Sequence, residues 1–147
     1  MAHLRASFES ARVAQLRDHL AQLWSARDDG RFWRDRRVLA IIGDGSAMYS
    51  IQALWTAAHH KLPITYLISN NGGYRIIKER LKSFHGNENF VGMNFQDPSV
   101  DYTALARSLG MTAERVEDPG DVQRALQASY EREGPTLLEV MTKRGIG

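Results

Sequence analysis

Two short polar stretches have residue types and spacing suited to chemistry: Gly43-Asp44-Gly45-Ser46 and Asn70-Asn71-Gly72-Gly73. Asp44 offers a hard anionic oxygen and Asn71 a neutral amide oxygen, while the glycines permit close backbone approach. A carboxylate, an amide oxygen and a backbone carbonyl make half of an oxygen shell for magnesium or calcium. Phosphate oxygens and water are left to complete it. Each stretch leads into a predicted helix, whose first-turn N–H groups and positive dipole end favour an anion. Metal and N–H groups together specify a di- or polyphosphate, because the metal cancels charge that the N–H groups alone leave unmet.

The elements that must position these stretches are legible in the hydrophobic pattern. Val38-Leu39-Ala40-Ile41-Ile42 and Ile64-Thr65-Tyr66-Leu67-Ile68 are apolar runs too short for helices, and each ends in one of the polar turns. Both are expected as strands buried on two faces of a parallel sheet. Helices are predicted from just after Ser46 to about Lys61, with Met48, Ile51, Leu54, Trp55 and Ala58 inward, and from about Tyr74 to Phe84. Residues 85–99 read as a long loop, a length often associated with functional lids. Asp101 caps a helix that Gly110 ends. A strand over 112–116, a helix from Asp118-Pro119 to about Arg132 and a strand over 136–141 follow. Alternating strands and helices imply an α/β fold, a doubly wound, mainly parallel sheet with helices on both faces. Ligands of such sheets bind beyond the carboxyl ends of the strands, where both polar turns lie.

Gly-Asp-Gly-Ser followed by Asn-Asn, with Asp44 and Asn71 separated by 27 positions, resembles the fingerprint of thiamine-diphosphate-dependent enzymes. The stretch from Gly43 to Ala58 is similar to their benzoylformate decarboxylase and acetolactate synthase-like branch, and the resemblance runs from about Arg37 to Lys143. It implies the pyrophosphate-binding domain of such an enzyme, with thiamine diphosphate and Mg2+ (or Ca2+) as cofactors. Asp44, the Asn71 side chain and the Gly73 carbonyl would then hold the metal. Gly43, Gly45 and Ser46 would meet the diphosphate, Tyr74 would wall the phosphate end, and Ile77 would face the reacting end. No catalytic residue is expected on this chain. The glutamate that starts proton transfer through the aminopyrimidine belongs to a pyrimidine-binding domain, and that partner would come from another chain of a homo- or hetero-oligomer. The chain lacks the family's Gly-x-x-Leu-Pro-Ala-Ala pattern upstream, so the resemblance implies a domain shortened on its N-terminal side. Residues 1–34 are expected as an amphipathic helix (about Leu4 to Ala26) and a basic linker outside the family pattern, and residues 35–147 as the binding domain.

Composition excludes several alternatives. The apolar fraction of 43% and charged fraction of 24% are ordinary for a globular domain. The absence of cysteine removes disulfides, thiolate nucleophiles and sulfur-based zinc sites, and fits a cytoplasmic protein. A net charge of +2 does not imply a nucleic-acid partner, and residues 1–37, with eight arginines, five acids and no lysine, read as a solvated basic face. No apolar run reaches the length of about 20 residues needed to cross a membrane, and the N-terminus lacks a signal peptide's apolar region. His59-His60 are expected to interact with a helix C-terminus, His85 to sit in solvent, and Glu79 and Arg80 to lie on a helix surface. Three functional classes remain: an enzyme half completed by a partner, a non-catalytic cofactor-binding module, and a remnant that binds nothing. On this reading Asp44→Ala abolishes binding with little loss of stability.

Overall fold

A computed structural model describes residues 37–86 and 88–143. The expected N-terminal helix and basic linker lie outside the described residues. Four strands form one parallel sheet in the order β1-β2-β4-β3. They are β1 (Val38–Gly43), β2 (Ile64–Asn70), β3 (Thr112–Val116) and β4 (Thr136–Met141). The helices are α1 (Asp44–Ala47), α2 (Ala53–His59), α3 (Arg75–His85), α4 (Tyr102–Ser108) and α5 (Val122–Glu131), with a 3₁₀ turn over Pro119–Asp121 ahead of α5.

The register divides the sheet's side chains between two cores. Ala40, Tyr66, Leu137 and Ala113 align across the four strands. With Leu54, Ala57, Tyr102 and Ala106 they build the larger core, roofed by α1, α2 and α4. On the opposite face Leu138 and Val116 pack with Ala125 of α5. Helices therefore cover both faces, as the strand–helix alternation predicts.

Two expectations are corrected. β1 is not buried on both faces: Ile41 is 61% exposed, because α5 covers the far side of the sheet only over β4 and its neighbours, and β1 is an edge strand among the described residues. The single helix expected up to Lys61 is instead two short pieces. From their junction into the first turn of α2, the N–H groups of Tyr49, Ser50, Ala53, Leu54 and Trp55 each bond a carbonyl three residues back, at 2.9–3.3 Å. This tighter winding advances side chains by three rather than 3.6 residues per turn. The stripe projected at helical spacing is therefore split: Leu54 is buried and Ile51 and Ala58 pack against the core, as expected, while Met48 (40%) and Trp55 (54%) are exposed. Trp55 stacks instead on His59, with centroids 4.9 Å apart, and His60 meets that ring edge-on.

The later elements follow their local signals. Asp101 accepts from Ala104 N at 2.8 Å and so caps α4. Asp118 accepts from Gly120 N at 2.8 Å ahead of Pro119. β3 and β4 span the residues expected for them. Among the described residues no helix is long and apolar enough to cross a membrane.

Candidate functional site

Both polar turns lie at the carboxyl ends of adjacent strands, since β1 pairs with β2 up to Gly43↔Ser69. One side chain joins them. Asp44, only 1% exposed, receives four backbone N–H donors. Oδ1 accepts from Gly45 N at 2.9 Å. Oδ2 accepts from Asn71 N at 3.1 Å, Gly72 N at 2.8 Å and Gly73 N at 2.9 Å. Three successive N–H groups converging on one oxygen form a concave nest for negative charge. Asp44 is thus the clamp between the turns, which the expectation of a purely ligating carboxylate did not include.

Gly45 and Gly73 are required by close approach. A Cβ on Gly45 would lie 2.6 Å from the Tyr74 ring, and one on Gly73 would lie 2.3 Å from the Met93 carbonyl oxygen. The first contact seats Tyr74 over the first turn. The second arises because residues 93–95 of the long loop return to the second turn. Tyr74 N donates to Met93 O at 2.9 Å and Phe95 N to Gly72 O at 2.8 Å, making a bridge between Gly73 and Asn94. The rings of Tyr74 and Phe95 meet edge to face at 4.9 Å. Lys78, buried on α3, donates to Asn94 Oδ1 at 2.8 Å and lies over the Phe90 ring. The loop expected as a lid is therefore strapped to the second turn by backbone pairing and to α3 by a buried lysine.

Of the predicted residues, Gly43, Asp44, Gly45, Ser46, Asn71, Gly73 and Tyr74 come together in this cluster. Gly43 precedes α1 in extended conformation, and Ser46 is half-buried in its only turn. Ile77 stands apart on α3, one turn past Tyr74 and 44% exposed. α1 has four residues, so it offers individual first-turn N–H groups, that of Ser46 among them, rather than a substantial macrodipole. Glu79 pairs with Arg75 at 2.8 Å on the surface, as expected for a solvated face, and His85 is exposed.

The donor set fits a hard cation shared with a phosphate. Asp44 Oδ1 accepts one N–H where Oδ2 accepts three. The Gly73 carbonyl accepts from Arg75 N at 3.0 Å and keeps a second lone pair. The half-buried Asn71 side chain makes no hydrogen bond among the described residues. No group of three or more histidines or acids able to hold a metal occurs among them either. A cation here would thus find one carboxylate plus neutral oxygens, a shell that an anionic ligand would complete.

Three residues to which sequence reasoning gave no role support the turns. Tyr102, fully buried, donates its hydroxyl to Asp44 O at 3.0 Å. Burial first, then the negative charges of Asp44 and Glu139, push its ionisation well above the ordinary tyrosine range. Asn70 places Oδ1 on Gly72 N at 2.9 Å and Nδ2 on Glu139 Oε1 at 2.7 Å. Glu139 is 0% exposed and its other oxygen accepts from Arg115 Nε at 3.1 Å. That bond holds the Arg115 guanidinium above its usual value despite the cost of burial. The available signal was a carboxylate inside the apolar run Leu137-Leu138-Glu139-Val140-Met141, since a charge buried in a strand must be paired.

A parallel α/β domain with two glycine-rich turns clamped at its strand ends is the class of protein defined by these observations. Comparison with known proteins narrows it. A family model described as the thiamine pyrophosphate enzyme, C-terminal TPP binding domain, matches residues 21–140, and the chain belongs to that family. It is 36% identical over 109 residues to the benzoylformate decarboxylase of Pseudomonas aeruginosa, covering 74% of this chain and 20% of that protein. Identity to the acetolactate synthase large subunit of Parasynechococcus marenigrum is 32% over 111 residues, 76% of this chain and 18% of that one. The solved thiamine diphosphate-dependent 4-hydroxybenzoylformate decarboxylase of Rhodococcus jostii RHA1 superimposes with a TM-score of 0.69 at 35% identity. That match covers 77% of this chain and 21% of that one. The chain spans about a fifth of the length of these relatives.

Proposed function

We propose that the chain binds thiamine diphosphate through Mg2+ and serves as the pyrophosphate half-site of a 2-oxo acid decarboxylase or acetolactate synthase-like enzyme. The observation that carries this reading is the Asp44 clamp. It draws the first turn of α1, the Asn71 side chain and the Gly73 carbonyl to one place at the strand ends. Asp44, Asn71 and Gly73 would hold the metal, with Ca2+ as a substitute. Gly43, Gly45 and Ser46 would receive the diphosphate, and Tyr74 would close the phosphate end. Ile77 would lie toward the reacting end of the cofactor. The bound cofactor supplies the nucleophilic carbon and the electron sink for 2-oxo acid chemistry. This chain binds and orients it, and no proton transfer is assigned to its residues. A pyrimidine-binding domain on another chain completes the site in an oligomer.

Calorimetric titration of thiamine diphosphate into the full chain, with Mg2+ and then with chelator, tests the reading. Heat of binding with Mg2+ that vanishes in chelator supports it. Equal affinity in both conditions, or none in either, overturns it. The half-site assignment carries its own expectation: the chain alone releases no carbon dioxide from benzoylformate or pyruvate at saturating cofactor. General acid–base help of the kind a partner domain supplies is worth about 10²–10⁴-fold. Turnover by the lone chain that is abolished in Asp44→Ala would overturn that assignment.

A further inference from the structure

The fully buried carboxylate of Glu139 belongs to none of the roles assigned above, yet it ends a chain of bonds that reaches the second turn. Arg115 Nε bonds Glu139 Oε2, and Asn70 Nδ2 bonds Glu139 Oε1. Asn70 Oδ1 in turn accepts from Gly72 N, the N–H that Asp44 Oδ2 also holds. The sheet register puts Arg115 directly across from Glu139. Arg115 also reaches Asp101 at 3.2 Å, beside the Tyr102 whose hydroxyl binds Asp44 O. Both turns are therefore tied back to the start of α4, one through Tyr102 and the other through Glu139.

The chemistry of the amide decides what Glu139 does. Asn70 presents one face that accepts and one that donates, and its two orientations differ only in which face meets Gly72 N. A carboxylate can only accept. Facing Asn70 Nδ2, it fixes the amide with its oxygen on Gly72 N, and the reverse orientation would oppose two donors at Gly72 and two acceptors at Glu139. Arg115 holds that carboxylate in place without itself touching the turn. We infer that Glu139 is a positioning residue for the cofactor site: by setting the Asn70 amide it holds the Asn71–Gly73 backbone, and with it the Asn71 oxygen, in the arrangement that binds metal. This rests on the cofactor-binding reading given above.

Glu139→Gln tests it at constant shape. Arg115 retains the new amide's oxygen, so the new NH2 group faces Asn70 and drives its amide to flip off Gly72 N. The Mg2+ concentration needed for thiamine diphosphate binding should rise roughly 10–100-fold, the usual cost of losing a group that orients a metal ligand. Amide exchange at Gly72 should quicken alongside it. Asn70→Asp should do likewise, by setting two carboxylates face to face. Combining the two substitutions restores complementarity, because the carboxylate introduced at position 70 accepts both from the amide introduced at position 139 and from Gly72 N. The double variant should therefore need less Mg2+ than either single one, a coupling that a merely structural residue would not produce. If Glu139→Gln does not fold, Asn70→Ala removes the link while leaving the Glu139–Arg115 pair, and should raise the Mg2+ requirement by the same order. A Mg2+ requirement and Gly72 exchange that stay at wild-type values in the folded single variants, or losses that add in the double, overturn the proposal. Failure of the wild-type chain to bind cofactor would overturn the cofactor reading instead, and Gly72 exchange across the same variants would then decide the role of Glu139.

Discussion

Replacing Asp44 with alanine removes the acceptor shared by four backbone N–H groups, and the structure states which of them are left without one. Gly72 N retains Asn70 Oδ1 at 2.9 Å. Gly45 N loses only a contact to its immediate chain neighbour. Asn71 N and Gly73 N have no second acceptor among the described residues. A buried donor stripped of its partner costs about 1–3 kcal/mol, so two of them give roughly 2–6 kcal/mol, with the half-buried Asn71 at the low end because water can reach it. We expect a loss of about 3 kcal/mol without metal, read as the shift in a denaturant unfolding midpoint in chelator. Asp44→Asn should fall between wild type and alanine: its amide oxygen can take the Oδ2 position and keep three of the bonds, uncharged, while its NH2 group opposes Gly45 N. Both variants should also lose Mg2+-dependent cofactor binding. The reasoning fails if Asp44→Ala unfolds at the wild-type midpoint in chelator, the outcome anticipated when Asp44 is regarded only as a metal ligand.

Other perturbations test the parts around this clamp. Gly45→Ala should destabilise through its clash with the Tyr74 ring, and adding Tyr74→Ala should recover part of that loss in a thermal melt; a double variant worse than the sum would contradict the contact. Gly73→Ala meets the Met93 carbonyl rather than a movable side chain, so it should break the pairing of residues 93–95 and expose that loop to limited proteolysis. At high pH, Tyr66, pushed by burial from 10.0 to about 12, and Tyr102, pushed further still, keep their protons folded but lose them unfolded. Their contribution is whole below pH 10.0 and drains away as pH rises through the folded values. Tyr102→Phe should flatten that alkaline decline, and an unchanged slope would show that Tyr102 plays no part in it.

Local signals were enough wherever the chain's own punctuation decided the outcome. β3 lies between Gly110 and the Asp118-Pro119 cap, and β4 follows Gly134, so their limits were readable. The two polar turns were readable because Asp, Asn and paired Gly are out of place at the end of apolar strands. Most of what was missed depended on partners distant in sequence. Met48 and Trp55 fit a helical stripe, but the tightened backbone over residues 49–55 leaves these two exposed while Ile51, Leu54 and Ala58 still pack against the core. Ile41 belongs to an apolar run, yet whether it is covered depends on the strand order and on where α5 packs. The reach of Glu139 to Asn70, 69 positions away, and of Tyr102 to Asp44, 58 away, has no local periodicity to betray it.

The same geography bears on how metal binding and folding are linked. A site whose ligands were held apart by mutual repulsion would form only on adding the cation, and binding energy would be consumed in building it. Here the carboxylate is already satisfied by N–H groups, and those N–H groups belong to the turn that carries Asn71 and Gly73. Tyr102 and the Asn70–Glu139 pair brace each turn from behind. A cation at Asp44 Oδ1 would leave the three bonds at Oδ2 in place, so binding would add to the clamp instead of replacing it. Mg2+ and thiamine diphosphate together should then raise the unfolding midpoint by the mass-action increment of their own affinity, RT ln(1 + [L]/Kd), without altering the denaturant slope that reports the surface exposed on unfolding. A slope that steepens on loading would mean that part of the turn pair folds only with the ligand, and the preformed clamp would have to be abandoned.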